Sequence, residues 1–251
     1  MAEYDSKTVL ITGGGSGIGL ATAQKLVDAG ANVVLAGRSA ERLSTAAKTL
    51  NAGDRVLAVA ADVSSTSDLD ELVVQIESHY GRLNGVFANA GIAYSAPTAG
   101  VTEDDFDHVF GVNVKGAFFT VQKSLPLLDN GSSIVLNSSW LAHRGVGIGS
   151  VYAASKAAVA NFARTLAPDL ADRGIRVNTI TPGHVATDMF DGVTGGNDQI
   201  REFFRSQVAL GRIAEASDIA DAVVYLLSPR AAYITGQELV VDGGLVGSVP
   251  S

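Results

Sequence analysis

One pattern of apolar and polar positions repeats along the chain. Short runs rich in Val, Ile, Leu and Ala, each bounded by Gly, Asp, Asn or Ser, appear as TVLITG, NVVLAG, RVLAVAAD, GVFANAG, SSIVLNSS, IRVNTITPG and QELVVDGG. They lack strict alternation, which suits parallel strands buried on both faces. Between them lie helical stretches such as GLATAQKLVDAGA, STSDLDELVVQIESHYG, TEDDFDHVFGVNVKGAFFTVQKSLPLL and VYAASKAAVANFARTLAPDLADRG. Ser or Asp stands at or near several of their starts, where a side-chain oxygen can accept from free first-turn N–H groups, and Gly closes several ends. The βα order throughout predicts an α/β protein: a single-domain, doubly wound, Rossmann-like fold, its central parallel sheet flanked by helices through right-handed crossovers.

No internal repeat or low-complexity linker interrupts the pattern, so residues 1–251 are expected to form one dinucleotide-binding and catalytic domain. The one irregular segment runs from about 183 to 211, where Gly-rich turns surround a short helix near Ile200. Excursions of this kind are often lids or substrate loops. In open α/β sheets ligands collect beyond the carboxyl ends of the strands, which directs attention to the residues just after each apolar run.

Composition narrows the chemistry. At 251 residues and 47% hydrophobic content the chain can fill one core. It has no cysteine, which excludes a disulfide framework, a thiolate zinc site, an iron–sulfur cluster and a cysteine nucleophile. A net charge of -8 spread along the chain favours solubility and disfavours nucleic-acid binding. The start MAEYDSKTVLITGG lacks the basic start, apolar core and small-residue cleavage site of a signal peptide, and each long apolar run is interrupted well short of about 18 residues, so a cytoplasmic protein without membrane attachment is expected. His79, His108, His143 and His184 show no ligand spacing, so no metal is expected, and no G-x-S-x-G elbow points to a serine hydrolase.

After the first predicted strand, TGGGSGIG places Gly13, Gly17 and Gly19 in a strand-to-helix turn. Without Cβ atoms the backbone can approach a pyrophosphate at a helix N-terminus, where free N–H groups and the dipole favour anions. About 20 residues further on, a dinucleotide site normally carries an acid for the ribose 2′-OH of NAD. Here Gly37 takes that place and Arg38 follows. The planar guanidinium matches phosphate oxygens, which favours NADP(H) over NAD(H); the alternative is a solvated arginine at a loop start.

In VYAASK, Tyr152 and Lys156 are four positions apart and share a helical face. Alone, the pair fits an exposed neighbour relation as well as a proton donor. The ordered set of motifs, however, resembles the classical short-chain dehydrogenases/reductases over essentially the whole chain. TGGGSGIG, with Ser16 and Ile18, is similar to that family's cofactor loop; ADVS supplies Asp62 and Val63 at the adenine; ANAG supplies Asn89, with Ala88 where the family has Asn. GVNVKG supplies Asn113, LNSS supplies Ser139, and PGHVAT supplies Pro182, Gly183, Val185 and Thr187 at the nicotinamide. Ser138 and Ser139 could both fill the serine role; the family's separation of thirteen positions from the tyrosine selects Ser139.

The resemblance implies that Tyr152 is the acid in reduction and the phenolate base in oxidation. Lys156 and the oxidised nicotinamide would both lower its pKa. It further implies that Ser139 holds the substrate oxygen, that Lys156 bonds the nicotinamide ribose and that Asn113 binds a water continuing a proton relay. Trp140, Leu141, His143, Ile92, Tyr94, Met189, Phe190 and Phe203 would surround the carbonyl, and His184, directly after the proline-glycine turn, is a further pocket candidate. Their apolar and aromatic character suits a hydrophobic ketone or its secondary alcohol, although each also fits ordinary core packing.

The expected function is that of an NADPH-dependent carbonyl reductase, reversible as a secondary-alcohol dehydrogenase. A 3-oxoacyl thioester reductase or sugar/polyol dehydrogenase on the same fold is the alternative. A non-catalytic nicotinamide-binding regulator is a third reading, against which the intact Asn113, Ser139, Tyr152 and Lys156 set speaks. Family members are usually tetramers, so a homotetramer is expected.

Overall fold

The computed structural model describes residues 3–248. Its strands are β1 (Thr8–Thr12), β2 (Asn32–Gly37), β3 (Val56–Ala60), β4 (Leu83–Ala88), β5 (Leu128–Asn137), β6 (Arg176–Pro182), two-residue β7 (Val185–Ala186) and β8 (Ala214–Glu215), and β9 (Glu238–Val241). The helices are α1 (Gly17–Asp28), α2 (Ala40–Leu50), α3 (Thr66–Tyr80), α4 (Glu103–Phe110), α5 (Gly116–Ser124), α6 (Ser150–Asp169), α7 (Asp188–Thr194), α8 (Asp198–Ser206) and α9 (Ala216–Leu227). Seven strands form one sheet in the order β3-β2-β1-β4-β5-β6-β9, every neighbouring pair parallel. The order reverses at β1, which lies between β2 and β4, so a crevice opens above the ends of β1 and β4.

The apolar runs are explained by this topology. All five residues of β1 and all seven of β6 are buried, because helices cover both faces of the sheet. Period-two alternation sorts them: Leu10 and Val34 pack with Leu72 of α3, Val121 of α5 and Val159 of α6. Val9, Ile11, Val33 and Leu35 pack with Leu26 of α1, Leu43 of α2 and Val223 of α9. Caps end the helices where the sequence places hydroxyls and glycines. Ser39 accepts from Arg42 N–H and Ser65 from Asp68 N–H, Thr102 and Asp105 form a reciprocal capping box, and Gly81 closes α3 at φ 75°.

Two expectations change. The long stretch TEDDF…LPLL is not one regular helix: a π-helical turn, Gly111–Lys115, joins α4 to α5. Nothing in GVNVKG distinguishes a π turn from an α turn by pattern. The 183–211 segment holds two helices and not one, and Val185–Ala186 pairs parallel with Ala214–Glu215. Helix α7 is hidden in the sequence by Gly192 within it; Thr187 caps its start by accepting from Phe190 N–H, and Gly195 at φ 58° ends it. Among the described residues no helix is long and apolar enough to cross a membrane.

Candidate active site

The glycine loop leaves β1 and enters α1. Gly13 and Gly17 occupy the left-handed region at φ 66° and 51°. A Cβ placed on Gly19 would stand 2.3 Å from the Gly13 carbonyl oxygen, so only glycine lets the first turn of α1 nest beneath the loop. Ser16 occupies the N-cap position yet makes no side-chain cap bond, which leaves the first-turn N–H groups open to an anion. An uncapped helix start in a side-chain-free cradle fits a dinucleotide pyrophosphate.

Beyond the loop, hydrogen bonds join the ends of β1, β4 and β5. Thr12 Oγ1 accepts from the backbone N–H groups of Asn89 and Ala90 at 3.0 and 3.1 Å. Asn89 Nδ2 donates to the Thr12 carbonyl at 2.9 Å, and Asn137 Nδ2 donates to Asn89 Oδ1 at 2.8 Å. The Asn137 carbonyl then accepts from Lys156 Nζ at 2.8 Å, and Ser138 Oγ donates to the Lys156 carbonyl at 2.9 Å. Lys156 is only 4% exposed, and burial lowers its pKa to about 8.

The π turn aims Asn113 into the same site. Its Oδ1 accepts from Ile92 N–H at 2.8 Å while its Nδ2 donates to the Ile92 carbonyl at 3.1 Å and to Ser155 Oγ at 3.0 Å. Ser155 Oγ in turn donates to the Tyr152 carbonyl at 2.7 Å. A Cβ on Gly91 would lie 3.2 Å from both Asn113 Oδ1 and Lys156 Nζ, so these two side chains converge across a glycine. π turns concentrate at functional sites because the extra residue re-aims a side chain without ending the helix.

Tyr152 and Ser139 complete the group. Burial pushes the Tyr152 phenol up from its ordinary value, and the Ser139 hydroxyl acts in the opposite direction. The lowering expected from Lys156 is not seen. Its ammonium lies 5.8 Å from the Tyr152 ring centroid, over the ring, and gives its hydrogen bond to Asn137. Ser139 is buried at the end of the β5 segment, where its Oγ accepts from Leu141 N–H at 3.3 Å.

One cavity of about 390 Å³ connects these parts. Gly13, Ser16, Gly17, Ile18 and Asn89 line its glycine-loop end, and Ser139, Tyr152 and Lys156 its centre. Pro182, Gly183, Val185 and Thr187 form one side; a Cβ on Gly17 would lie 3.1 Å from Thr187 Cγ2, so the start of α7 approaches the glycine loop. Tyr94, Trp140, Leu141, His184, Met189, Phe190 and Phe204 make an aromatic and aliphatic wall. Within it His184 is 6% exposed, with ring centroids 4.9 Å from Trp140 and 4.7 Å from Phe204. Burial, with Arg144 nearby, lowers its pKa to about 4, so the imidazole is neutral at pH 7.

Several expected residues stand elsewhere. His143 does not line the cavity: its Nε2 lies 2.6 Å from Glu238 Oε1 on β9, an oxygen that also accepts from Thr181 Oγ1 at 2.6 Å. Phe203 is 61% exposed, and its neighbour Phe204 takes the wall position instead, because the phase of α8 could not be set from so short a helix. Arg38 is exposed immediately after β2. Asp62 Oδ1 accepts from Ser64 N–H and Oγ at 2.9 and 2.7 Å, and Val63 is buried against Gly116; neither lines the cavity. Asn137, Ser155 and Phe204 are the contributors that sequence reading missed. Asn137 acts largely through its main-chain carbonyl, which leaves no side-chain signature. Among the described residues no group of three or more His, Asp or Glu side chains is placed to hold a metal.

Residues 13–246 match the family model described as enoyl-(acyl carrier protein) reductase. The chain is 38% identical over 241 residues to an oxidoreductase of Sarocladium schorii, covering 95% of each chain. It is 37% identical over 253 residues to a hydroxynaphthalene reductase-like protein of Metarhizium majus, covering 96% of this chain and 95% of the relative. The crystal structure of a short-chain dehydrogenase/reductase (glucose/ribitol dehydrogenase) from Brucella melitensis superposes with TM-score 0.94 at 31% identity, over 98% of this chain and 99% of that one. With the glycine cradle, the seven-stranded sheet and these relatives together, the chain belongs to the short-chain dehydrogenase/reductase family of oxidoreductases.

Proposed function

We propose that the protein is an NADPH-dependent reductase of bulky, ring-containing ketones, reversible as a secondary-alcohol dehydrogenase. The observation that carries this reading is the single cavity running from the glycine loop past Ser139, Tyr152 and Lys156 to a largely apolar wall. Gly13, Ser16, Gly17 and Ile18 hold the pyrophosphate, Arg38 the 2′-phosphate, Asp62 and Val63 the adenine side, and Asn89, Pro182, Gly183, Val185 and Thr187 the nicotinamide half. When bound, the cofactor supplies the hydride.

The protein's own groups handle the oxygen and the proton. Ser139 Oγ donates a hydrogen bond to the carbonyl oxygen, and Tyr152 donates the proton as negative charge develops there. A phenol raised by burial is fully protonated at neutral pH, the form that reduction requires. Lys156 holds the ribose, and Asn113, bonded to both polar groups of the Ile92 backbone, positions the outward proton path. The similarity to the hydroxynaphthalene reductase-like protein of Metarhizium majus supports an aromatic ring system in the substrate. The wall offers no cluster of cations for a phosphorylated one. A cytoplasmic homotetramer, tested by size-exclusion chromatography with light scattering, completes the proposal.

The test is spectrophotometric oxidation of NADPH and NADH with bulky ketones, 3-oxoacyl and enoyl thioesters, and sugars. Turnover of ring ketones with NADPH is expected; turnover confined to thioesters or sugars would replace the ketone reading. Arg38→Asp should move the NADPH/NADH preference toward NADH by roughly 10- to 100-fold, as for loss of a hydrogen bond to a charged group. An unchanged ratio would place the 2′-phosphate elsewhere.

A further inference from the structure

His184 is a buried polar side chain that the chemistry above does not use. Its Nε2 has no hydrogen-bond partner. Buried polar atoms are almost always partnered, so an orphan in a cavity wall calls for a group that arrives with the ligand. The ring is held by aromatic contacts and not by hydrogen bonds: Trp140 at 4.9 Å edge-on, Phe204 at 4.7 Å and Phe190 at 5.9 Å between centroids. Such packing fixes the imidazole plane while leaving its polar edge uncommitted. The nearby Arg144 guanidinium donates to the Leu245 carbonyl at 3.2 Å and so is committed elsewhere.

We propose that His184 is a specificity-determining residue whose imidazole hydrogen-bonds a second oxygen, a hydroxyl or a carbonyl, on the ring of the ketone being reduced. This deepens the ketone reading above and rests on it. The reacting carbonyl lies at Ser139 and Tyr152, and the remainder of the ring lies among Trp140, Phe190 and Phe204, all of which line the same cavity as His184. A neutral imidazole can donate through one nitrogen and accept through the other, which suits a phenolic hydroxyl or a second carbonyl and gives no charge attraction to a carboxylate or phosphate. The substrate class is therefore a bulky ring ketone with a second ring oxygen.

The experiment compares kcat/KM with NADPH for 2-tetralone and for 2-tetralones carrying one hydroxyl at each available aromatic position. Wild type, His184→Phe and His184→Gln are measured, and NADPH affinity checks that each variant is folded. In the wild type at least one hydroxylated ketone should exceed 2-tetralone by about tenfold, the scale of one neutral hydrogen bond. His184→Phe should abolish that preference, read as the ratio of kcat/KM for the hydroxylated to the parent ketone within each protein, and His184→Gln should restore part of it. Equal turnover of all the ketones by the wild type, or a preference retained in His184→Phe, overturns the assignment to His184 and leaves the ketone reading standing. Failure of the NADPH-binding wild type to reduce any of them removes both.

Discussion

The floor and the wall of the cavity are held in different ways. On the floor, Asn89, Asn113 and Lys156 are each fixed by hydrogen bonds to main-chain groups of other segments, and Asn137 by a hydrogen bond to the Asn89 side chain, at the ends of buried strands and across Gly91. In the wall, His184, Phe190 and Phe204 are fixed by ring contacts. Its helices are tied outward by exposed ion pairs, Arg42 to Asp188 at 3.3 Å and Arg201 to Asp191. Exposed pairs of this kind contribute about 0–1 kcal/mol, whereas hydrogen bonds to a buried charge are worth more. Proton transfer needs donor and acceptor placed within a fraction of an ångström, and recognition of an apolar body does not. The directional interactions lie where direction matters, and the wall can change shape without disturbing them.

The sharpest way to break this contrast is at the floor. Tyr152→Phe removes one oxygen and no packing volume, and kcat should fall by about 10²- to 10⁴-fold with NADPH affinity nearly unchanged. Substantial residual activity in steady-state assays would contradict the acid–base role. In the wall the effect should be smaller and should fall on KM: Phe204→Ala should raise KM for a bulky ketone by roughly tenfold with kcat little altered, on the order of a partly buried aromatic's contact energy. Phe203→Ala, at a 61% exposed position, should alter neither by more than about twofold. Equal effects of the two would mean that α8 turns differently in solution.

The smallest effect concerns stability. In the unfolded chain Lys156 titrates near its ordinary 10.5, and in the folded protein burial brings it to about 8. Between those values the unfolded state binds more protons, so folding stability rises with pH through that window. Tyr152, Tyr4 and Tyr80, all raised by burial, act oppositely above their ordinary value of 10.0, which confines the clean window to about pH 8–10. Urea unfolding should show a gain of about 1 kcal/mol from Lys156 between pH 7 and 9, absent in Lys156→Met. A slope identical in both proteins would show that the ammonium is more hydrated than its burial indicates.

The same contrast decides what could be read from sequence. The sheet was legible because burial on both faces writes itself into runs such as NVVLAG, and the glycine loop because close backbone approach requires glycine at fixed spacing. Asn113, Ser139, Tyr152 and Lys156 are found by family resemblance; Ser139, Tyr152 and Lys156 line one cavity, and Asn113 is buried behind it, near Lys156 across Gly91. The wall was legible only in character. Phe203 and Phe204 are adjacent, and the rotation of about 100° between neighbouring helical residues separates a solvent-facing ring from a cavity ring. His143 was misplaced because its partner, Glu238, is 95 positions away and its pairing depends on β9 lying beside β6. Asn137 and Ser155 act on or through main-chain groups, and main-chain chemistry is the same for every residue type.

That late-arriving strand has a consequence for biogenesis. The nucleotide half of the sheet, β1 to β4 with their helices, leaves the ribosome long before β9. Until Glu238 emerges, Thr181 Oγ1 and His143 lack the carboxylate that joins the turn after Ser139 to β6. A chain without the Glu238 carboxylate leaves the segment that follows Ser139 without this anchor at the sheet edge.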